Sequence, residues 1–96
     1  MIDTVKVAQL LKEASNTHHA VYRFVDGDDP DWAIWYAQWL IDLSDLPRLL
    51  GGRPVKSELV YVLVGLEKRF AKQGSDLPWE EFYATGIAEH FSNSQA

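Results

Sequence analysis

The chain has 96 residues and a formal net charge of −5, from 14 acidic and nine basic side chains. This length builds one domain around one core, and the acidic balance repels a phosphate backbone, so nucleic acid is not an expected partner. The chain contains no cysteine, which excludes disulfides, cysteine-ligated metals and thiol catalysis and fits a reducing compartment.

A first helix is predicted over about residues 4–24. Its apolar positions recur at steps of three and four, which is the spacing of one helix face, and Asp3 or Thr4 can cap its start. Residues 15–17 are poor helix formers, so two shorter helices are the alternative to the single helix that we favour. The apolar stripe consists of Val7, Leu11, Ala14, His18, Val21 and Val25.

A second helix is predicted over about residues 30–43. The acidic segment 26–31 before it is typical of a turn and a helix start, with Asp29 as N-cap and Pro30 as the first helical residue. A calcium loop does not fit this segment, because its spacing places Asp31 where the turn needs glycine and Ala37 where the metal needs a glutamate. The helix carries one continuous face of large side chains: Trp32, Trp35, Tyr36, Trp39, Leu40 and Leu43.

Two further main helices follow a short helical turn at 46–50, which Gly51 and Gly52 can end. The third main helix is predicted over 55–73, with Gly74 at its end. A buried strand over 59–64 is the alternative there, because that run is rich in β-branched residues. The fourth main helix is predicted over 77–91. Residues 92–96 form a polar tail that we expect to fray, so the predicted domain spans residues 1–91.

The second and fourth main helices resemble each other. A shift of 47 residues places Trp32, Tyr36 and Ala37 on identical residues, and Trp35 and Leu40 on similar ones. The same shift aligns the first and third main helices with hardly any residue matches. The sequence therefore predicts an all-α, bundle-like fold with four main helices and a short turn. A duplicated helical hairpin explains the resemblance, and two helices that pack in the same way without a duplication are the alternative. The residues matched in the fourth helix are Trp79, Phe82, Tyr83, Ala84 and Ile87.

One stretch is similar to known sequences. The helix Asp31-Trp32-Ala33-Ile34-Trp35-Tyr36-Ala37-Gln38-Trp39-Leu40 resembles helices in small uncharacterised bacterial proteins, in which it often follows a histidine-containing helix. The resemblance extends from His18 to Leu43. It implies a small bacterial domain and brings no activity and no catalytic residue with it.

Candidate binding residues lie on the two aromatic helices. They can line a ligand pocket or a partner groove, since Trp and Tyr offer large, rigid, half-polar surfaces. Packing in the core is the simpler explanation, because a small core needs such area. The candidates are Trp32, Trp35, Tyr36, Trp39, Trp79 and Tyr83.

Catalytic and metal sites are not predicted. His18 and His19 are adjacent, so on a helix they point about 100° apart and cannot hold one metal ion together. No Glu-x-x-His or His-x-x-x-His spacing occurs, which weighs against helical metalloenzymes. His18 and His90 are weak metal candidates at most. The serines at 44, 57 and 75 suit helix caps better than nucleophilic roles. No cofactor is expected.

Two functions follow from these patterns. The first is a non-enzymatic helical module that acts through protein contacts, including self-association as a homodimer, because the chain has more apolar residues than a small core needs. The alternative is a small-molecule-binding domain with an aromatic pocket between the second and fourth main helices. We expect a cytoplasmic location, since the first residues do not form a signal segment. We also expect no membrane contact, because the longest apolar run, 59–66, is far shorter than the ~20 residues of a membrane span.

Overall fold

All regular structure in the described residues, which are 2–22, 31–74 and 76–94 of a computed structural model, is α-helical. The predicted all-α fold is confirmed, and residues 59–64 are helical, so the strand alternative is wrong. The helices are α1 Thr4–Tyr22, α2 Trp32–Asp42, α3 Leu46–Leu50, α4 Lys56–Gln73 and α5 Trp79–Ser94. The second, third and fourth main helices of the sequence prediction are thus α2, α4 and α5.

Helix α1 starts with a side-chain cap. Asp3 Oδ1 accepts hydrogen bonds from the backbone N–H groups of Val5, at 3.1 Å, and Lys6, at 3.2 Å, and these donors lack partners within the helix. The helix is unbroken through residues 15–17. The alternative of two shorter helices is therefore wrong, while the predicted end at 23–24 lies outside the described residues.

Helix α2 starts later than predicted. Asp31 occupies the N-cap position and Trp32 is the first helical residue, whereas the expected cap Asp29 and first residue Pro30 lie outside the described residues. Asp31 makes no side-chain capping bond. Its backbone carbonyl instead accepts the first hydrogen bonds of the helix.

Glycines end α3 and α4, as predicted. Gly51 has φ 81° and Gly74 has φ 60°, the left-handed conformation that glycine adopts without a steric penalty. Helix α5 begins at Trp79 after Pro78, whose carbonyl accepts bonds from two N–H groups of the first turn. It continues through Ser94, beyond the predicted end at 91.

The core is entirely apolar among the described residues, and the four long helices contribute equally to it. Among the residues whose burial is described, each of them supplies four buried side chains, and α3 supplies two more. The long-helix set is Val7, Ala8, Leu11 and Ala14 from α1; Ala33, Ala37, Leu40 and Ile41 from α2; Leu59, Val62, Leu63 and Leu66 from α4; and Tyr83, Ala84, Ile87 and Phe91 from α5.

The four long helices form an up-down bundle. Helices α1 and α4 each pack against both α2 and α5, and within the described residues α1 does not pack on α4, nor α2 on α5. The end of α1 meets the start of α2 and the end of α4 meets the start of α5. The start of α4 lies beside the second half of α2, where Lys56 Nζ donates to Gln38 Oε1 at 2.8 Å. All neighbouring helices are therefore antiparallel, with α1 and α4 diagonally opposed.

The buried residues of the two helical hairpins correspond, but at two different shifts. Helices α2 and α5 follow the predicted 47-residue shift, but the buried stripes of α1 and α4 match only at a larger shift. The difference arises because α1 and α2 start farther apart in the chain than α4 and α5 do. At this larger shift Val7, Leu11 and Ala14 correspond to the buried residues Leu59, Leu63 and Leu66.

Candidate functional site

The aromatic residues of α2 and α5 meet at a cavity between the diagonal helices. Its volume is about 320 Å³. Four of the six predicted candidates line it, joined by one residue from α1 and one from α4. We call it the axial pocket, and its lining residues in the described part of the chain are Ser15, Trp32, Tyr36, Glu67, Trp79 and Tyr83.

The lining of the axial pocket repeats between the two hairpins. Trp32 corresponds to Trp79 and Tyr36 to Tyr83 at the shift that relates α2 to α5. Ser15 corresponds to Glu67 at the shift that relates the buried stripes of α1 and α4. All six residues therefore form three equivalent pairs, and the pocket lies where the two halves of the bundle face each other.

Each half contributes the same aromatic wall. The rings of Trp32 and Tyr36 lie 5.6 Å apart at 86°, and those of Trp79 and Tyr83 lie 5.4 Å apart at 84°. Both are edge-to-face pairs, an arrangement that aromatic rings prefer because positive ring edges meet negative ring faces. Equivalent helices thus hold equivalent rings in equivalent orientations.

A third ring supports each wall from the neighbouring helix. His18 lies 4.9 Å from Trp35 and 5.4 Å from Tyr36 between ring centroids. At the equivalent place Phe70 lies 5.2 Å from Phe82 and 6.2 Å from Tyr83. His18 is therefore a ring-packing residue next to the pocket.

The polar groups of the pocket differ between the halves. On one side burial raises the pKa of the Tyr36 phenol, and a side-chain hydrogen bond from Ser15 partly offsets the rise. On the other side burial raises the pKa of Tyr83 to about 12, with smaller contributions from the negative charge of Glu67 and from Tyr36. Where one half has a hydroxyl beside its tyrosine, the other half has a carboxylate.

The hydroxyl of Tyr83 has no hydrogen-bond partner among the described residues, although the residue is only 7% exposed. The described chain also contains no fully enclosed side-chain oxygen or nitrogen that lacks a partner. The Tyr83 hydroxyl is therefore not fully enclosed, and Tyr83 lines the pocket, so this group is available as a hydrogen-bond partner for a ligand there.

The other two aromatic candidates lie outside the pocket. Trp35 packs against His18 and Tyr36, and Trp39 is half-buried against the core. Sequence reasoning missed Ser15 and Glu67, because the 47-residue shift does not pair them. The signal that pairs them is an alignment of the apolar stripes of α1 and α4.

The two histidine candidates lie at opposite ends of the bundle. His18 packs at the start of α2, whereas His90 Nε2 lies 3.0 Å from Glu58 Oε2 near the start of α4. In the part of the chain that the structure describes, no three histidine, aspartate or glutamate residues come together as a metal site.

Two other grooves are larger than the axial pocket, which is itself open to solvent. The groove between α1 and α5 has a volume of about 340 Å³ and includes the exposed side chains Val5 and Leu77. The groove between α4 and α5 has a volume of about 470 Å³ and includes Tyr61, Lys68 and Arg69. Within residues 2–22, 31–74 and 76–94, the axial pocket gathers residues from all four long helices and these two grooves do not.

Comparison with known proteins adds no relative to these observations. No protein-family model matches the chain, and neither the curated proteins nor the solved structures include a match. Among the described helices none is long and apolar enough to cross a membrane.

Proposed function

We propose that this protein is a small, non-enzymatic helical domain that binds a small molecule in the axial pocket. One observation carries the proposal: the six lining residues form three equivalent pairs around one cavity, and four of the six are Trp or Tyr. This is the second of the two functions expected from the sequence. We also propose that the protein comes from a bacterium and lies in the cytoplasm, as expected from the sequence.

The volume and chemistry of the pocket support a ligand in preference to plain core packing. Ligand sites usually measure about 300–1,000 Å³ and combine apolar walls with a few convergent polar groups. The axial pocket, at about 320 Å³, lies at the lower limit of that range and suits a small metabolite. Its polar groups include the Tyr83 hydroxyl and the Glu67 carboxylate.

A ligand screen with site-specific reporters tests this proposal. A ligand present at about 100 times its Kd raises the free energy of unfolding by ~2.7 kcal/mol, which a thermal melt detects. We expect that compound also to change the tryptophan fluorescence, and the change to shrink in Trp32→Phe and Trp79→Phe. The matched control is Trp39→Phe, which keeps both pocket tryptophans. A change that depends on Trp39 instead, or a broad metabolite panel without any stabilising compound, contradicts the proposal.

A protein-contact function is the second candidate, and the groove between α1 and α5 favours it. Val5 is 66% exposed and Leu77 is 49% exposed, and both line this groove. These two exposed apolar side chains lie among polar ones along an open groove, a mixture that suits a contact with another protein, here a second copy of the chain. The molar mass in solution tests this candidate.

A further inference from the structure

The described lining of the axial pocket contains one charged residue, and its charge is negative. Glu67 lines the pocket, and within the described residues no ion pair joins it to a lysine, arginine or histidine. Its basic neighbours in sequence, Lys68 and Arg69, line the groove between α4 and α5. The described part of the chain therefore leaves this charge for the pocket and the solvent.

The aromatic walls, like the Glu67 carboxylate, favour a positively charged ligand. The faces of Trp and Tyr rings carry negative electrostatic potential and attract cations, with Trp as the strongest of the aromatic residues. Two Trp and two Tyr rings line this pocket. An anion meets repulsion from Glu67, and a neutral ligand gains only the burial of apolar surface.

We propose that the axial pocket binds a small organic ammonium ion, with Glu67 facing the positive nitrogen and the Trp32 and Trp79 rings enclosing its alkyl groups. This inference rests on the proposed function, because it names the ligand class of the same pocket. Aromatic walls with a nearby carboxylate are a general way to recognise alkylated ammonium groups. The Tyr83 hydroxyl provides an additional bonding position for a polar group on the ligand.

Two compounds of nearly the same shape test whether the positive charge of a ligand contributes to its affinity for the pocket. Choline carries a trimethylammonium group, and 3,3-dimethylbutan-1-ol replaces its nitrogen by carbon, so the two have nearly the same shape and differ in charge. We expect choline to bind about tenfold more tightly, which corresponds to ~1.4 kcal/mol. Titration calorimetry and tryptophan fluorescence measure both affinities.

A matched pair of variants locates the charge. Glu67→Gln removes the pocket carboxylate, and we expect it to weaken choline binding roughly tenfold while the affinity for the neutral alcohol stays the same. Glu81→Gln changes the net charge equally, but Glu81 lies in the groove between α1 and α5, so choline affinity should stay at the wild-type value. Circular dichroism confirms that both variants are folded.

The outcomes distinguish this inference from the proposed function. Equal affinities for choline and its neutral analogue, or unchanged choline binding in Glu67→Gln, overturn the cation inference and leave the pocket as a binding site. Tighter binding of 3,3-dimethylbutanoate than of choline overturns it in the same way. If choline, both analogues and the metabolite panel all fail to bind the wild-type protein, the proposed function fails as well.

Discussion

Among single residues, Tyr83 combines burial with a nearby negative charge, and its hydroxyl has no partner within the described part of the chain. The residue is 7% exposed, and burial, together with Glu67 and Tyr36, raises its pKa to about 12. Each of these neighbours disfavours the phenolate. The folded protein therefore holds the neutral phenol, which is the form that can donate a hydrogen bond to a ligand.

The raised pKa of Tyr83 predicts a loss of stability in strong alkali. An unfolded tyrosine ionises near pH 10.0, whereas Tyr83 in the folded protein retains its proton to about pH 12. Between these values the folded state binds more protons than the unfolded state, so the free energy of unfolding falls as pH rises, by roughly 2–3 kcal/mol. Urea denaturation from pH 9 to pH 12 measures this fall.

The Tyr83→Phe variant isolates the contribution of this phenol. It keeps the ring and removes the titrating group, so its stability should fall less steeply over the same pH interval. The difference between the two slopes therefore measures the phenol of residue 83 in its folded surroundings, including its coupling to Tyr36. An equally steep fall in the variant contradicts the raised pKa of Tyr83.

The sequence predicted part of this site at residue level. Helical spacing and the 47-residue repeat identified Trp32, Tyr36, Trp79 and Tyr83, because the period of a helix fixes which side chains share a face. Ser15 and Glu67 were not identified. Their pairing depends on the shift between α1 and α4, which differs from that between α2 and α5 because the connections within the two hairpins are unequal in length.

Among the helices, α4 and α5 approach each other closely at Gly86. A Cβ atom added at Gly86 overlaps Leu66 Cδ2, and Leu66 is only 1% exposed. Because the core around Leu66 is filled, its side chain cannot move aside without displacing other residues. The absence of a side chain at Gly86 thus sets the spacing of these two helices.

This close approach predicts opposite effects for two glycine substitutions. Gly86→Ala adds an overlap that typically costs about 1–3 kcal/mol, more than the ~1 kcal/mol that alanine contributes through helix propensity. Gly65→Ala is the matched control, because Gly65 lies in α4 beside the same groove and a Cβ there meets nothing within 4 Å. We expect urea denaturation to show a less stable Gly86→Ala and a Gly65→Ala more stable by roughly 0.5–1 kcal/mol. Stabilisation by both substitutions argues against the close approach.

The helices themselves were largely predictable because local signals agree with the fold. Glycines 51 and 74 end their helices where expected, and the run 59–64 is helical despite its β-branched residues. Tertiary packing favours helix over strand for this run. Its core-facing residues recur at helical spacing: Leu59, Val62, Leu63 and Leu66. The starts of α2 and α5 were predicted slightly too early, because proline and acidic residues indicate a start only to within a few positions.

For the molecule as a whole, the two hairpins place unlike residues at equivalent positions. Ser15 and Glu67 face the same pocket from opposite sides, and His18 and Phe70 support its two walls. The aromatic rings of the pocket are thus the same in both hairpins, whereas only the second hairpin contributes a charged residue, Glu67. An arrangement of this kind fixes the orientation of an asymmetric guest.

On the outer surface, the groove between α1 and α5 is the place where we expect self-association. If a second copy docks in the groove between α1 and α5, light scattering should give a molar mass approaching twice that of the single chain at high concentration. A glutamate in place of Val5 or Leu77 buries an unpaired charge in that contact, so we expect either variant to remain a monomer. Leu43→Glu and Tyr61→Glu are the controls, because these residues are 73% and 76% exposed and lie outside the groove. A monomeric wild-type protein, or equal effects of all four variants, argues against this interface and leaves the axial pocket as the site that the fold supports.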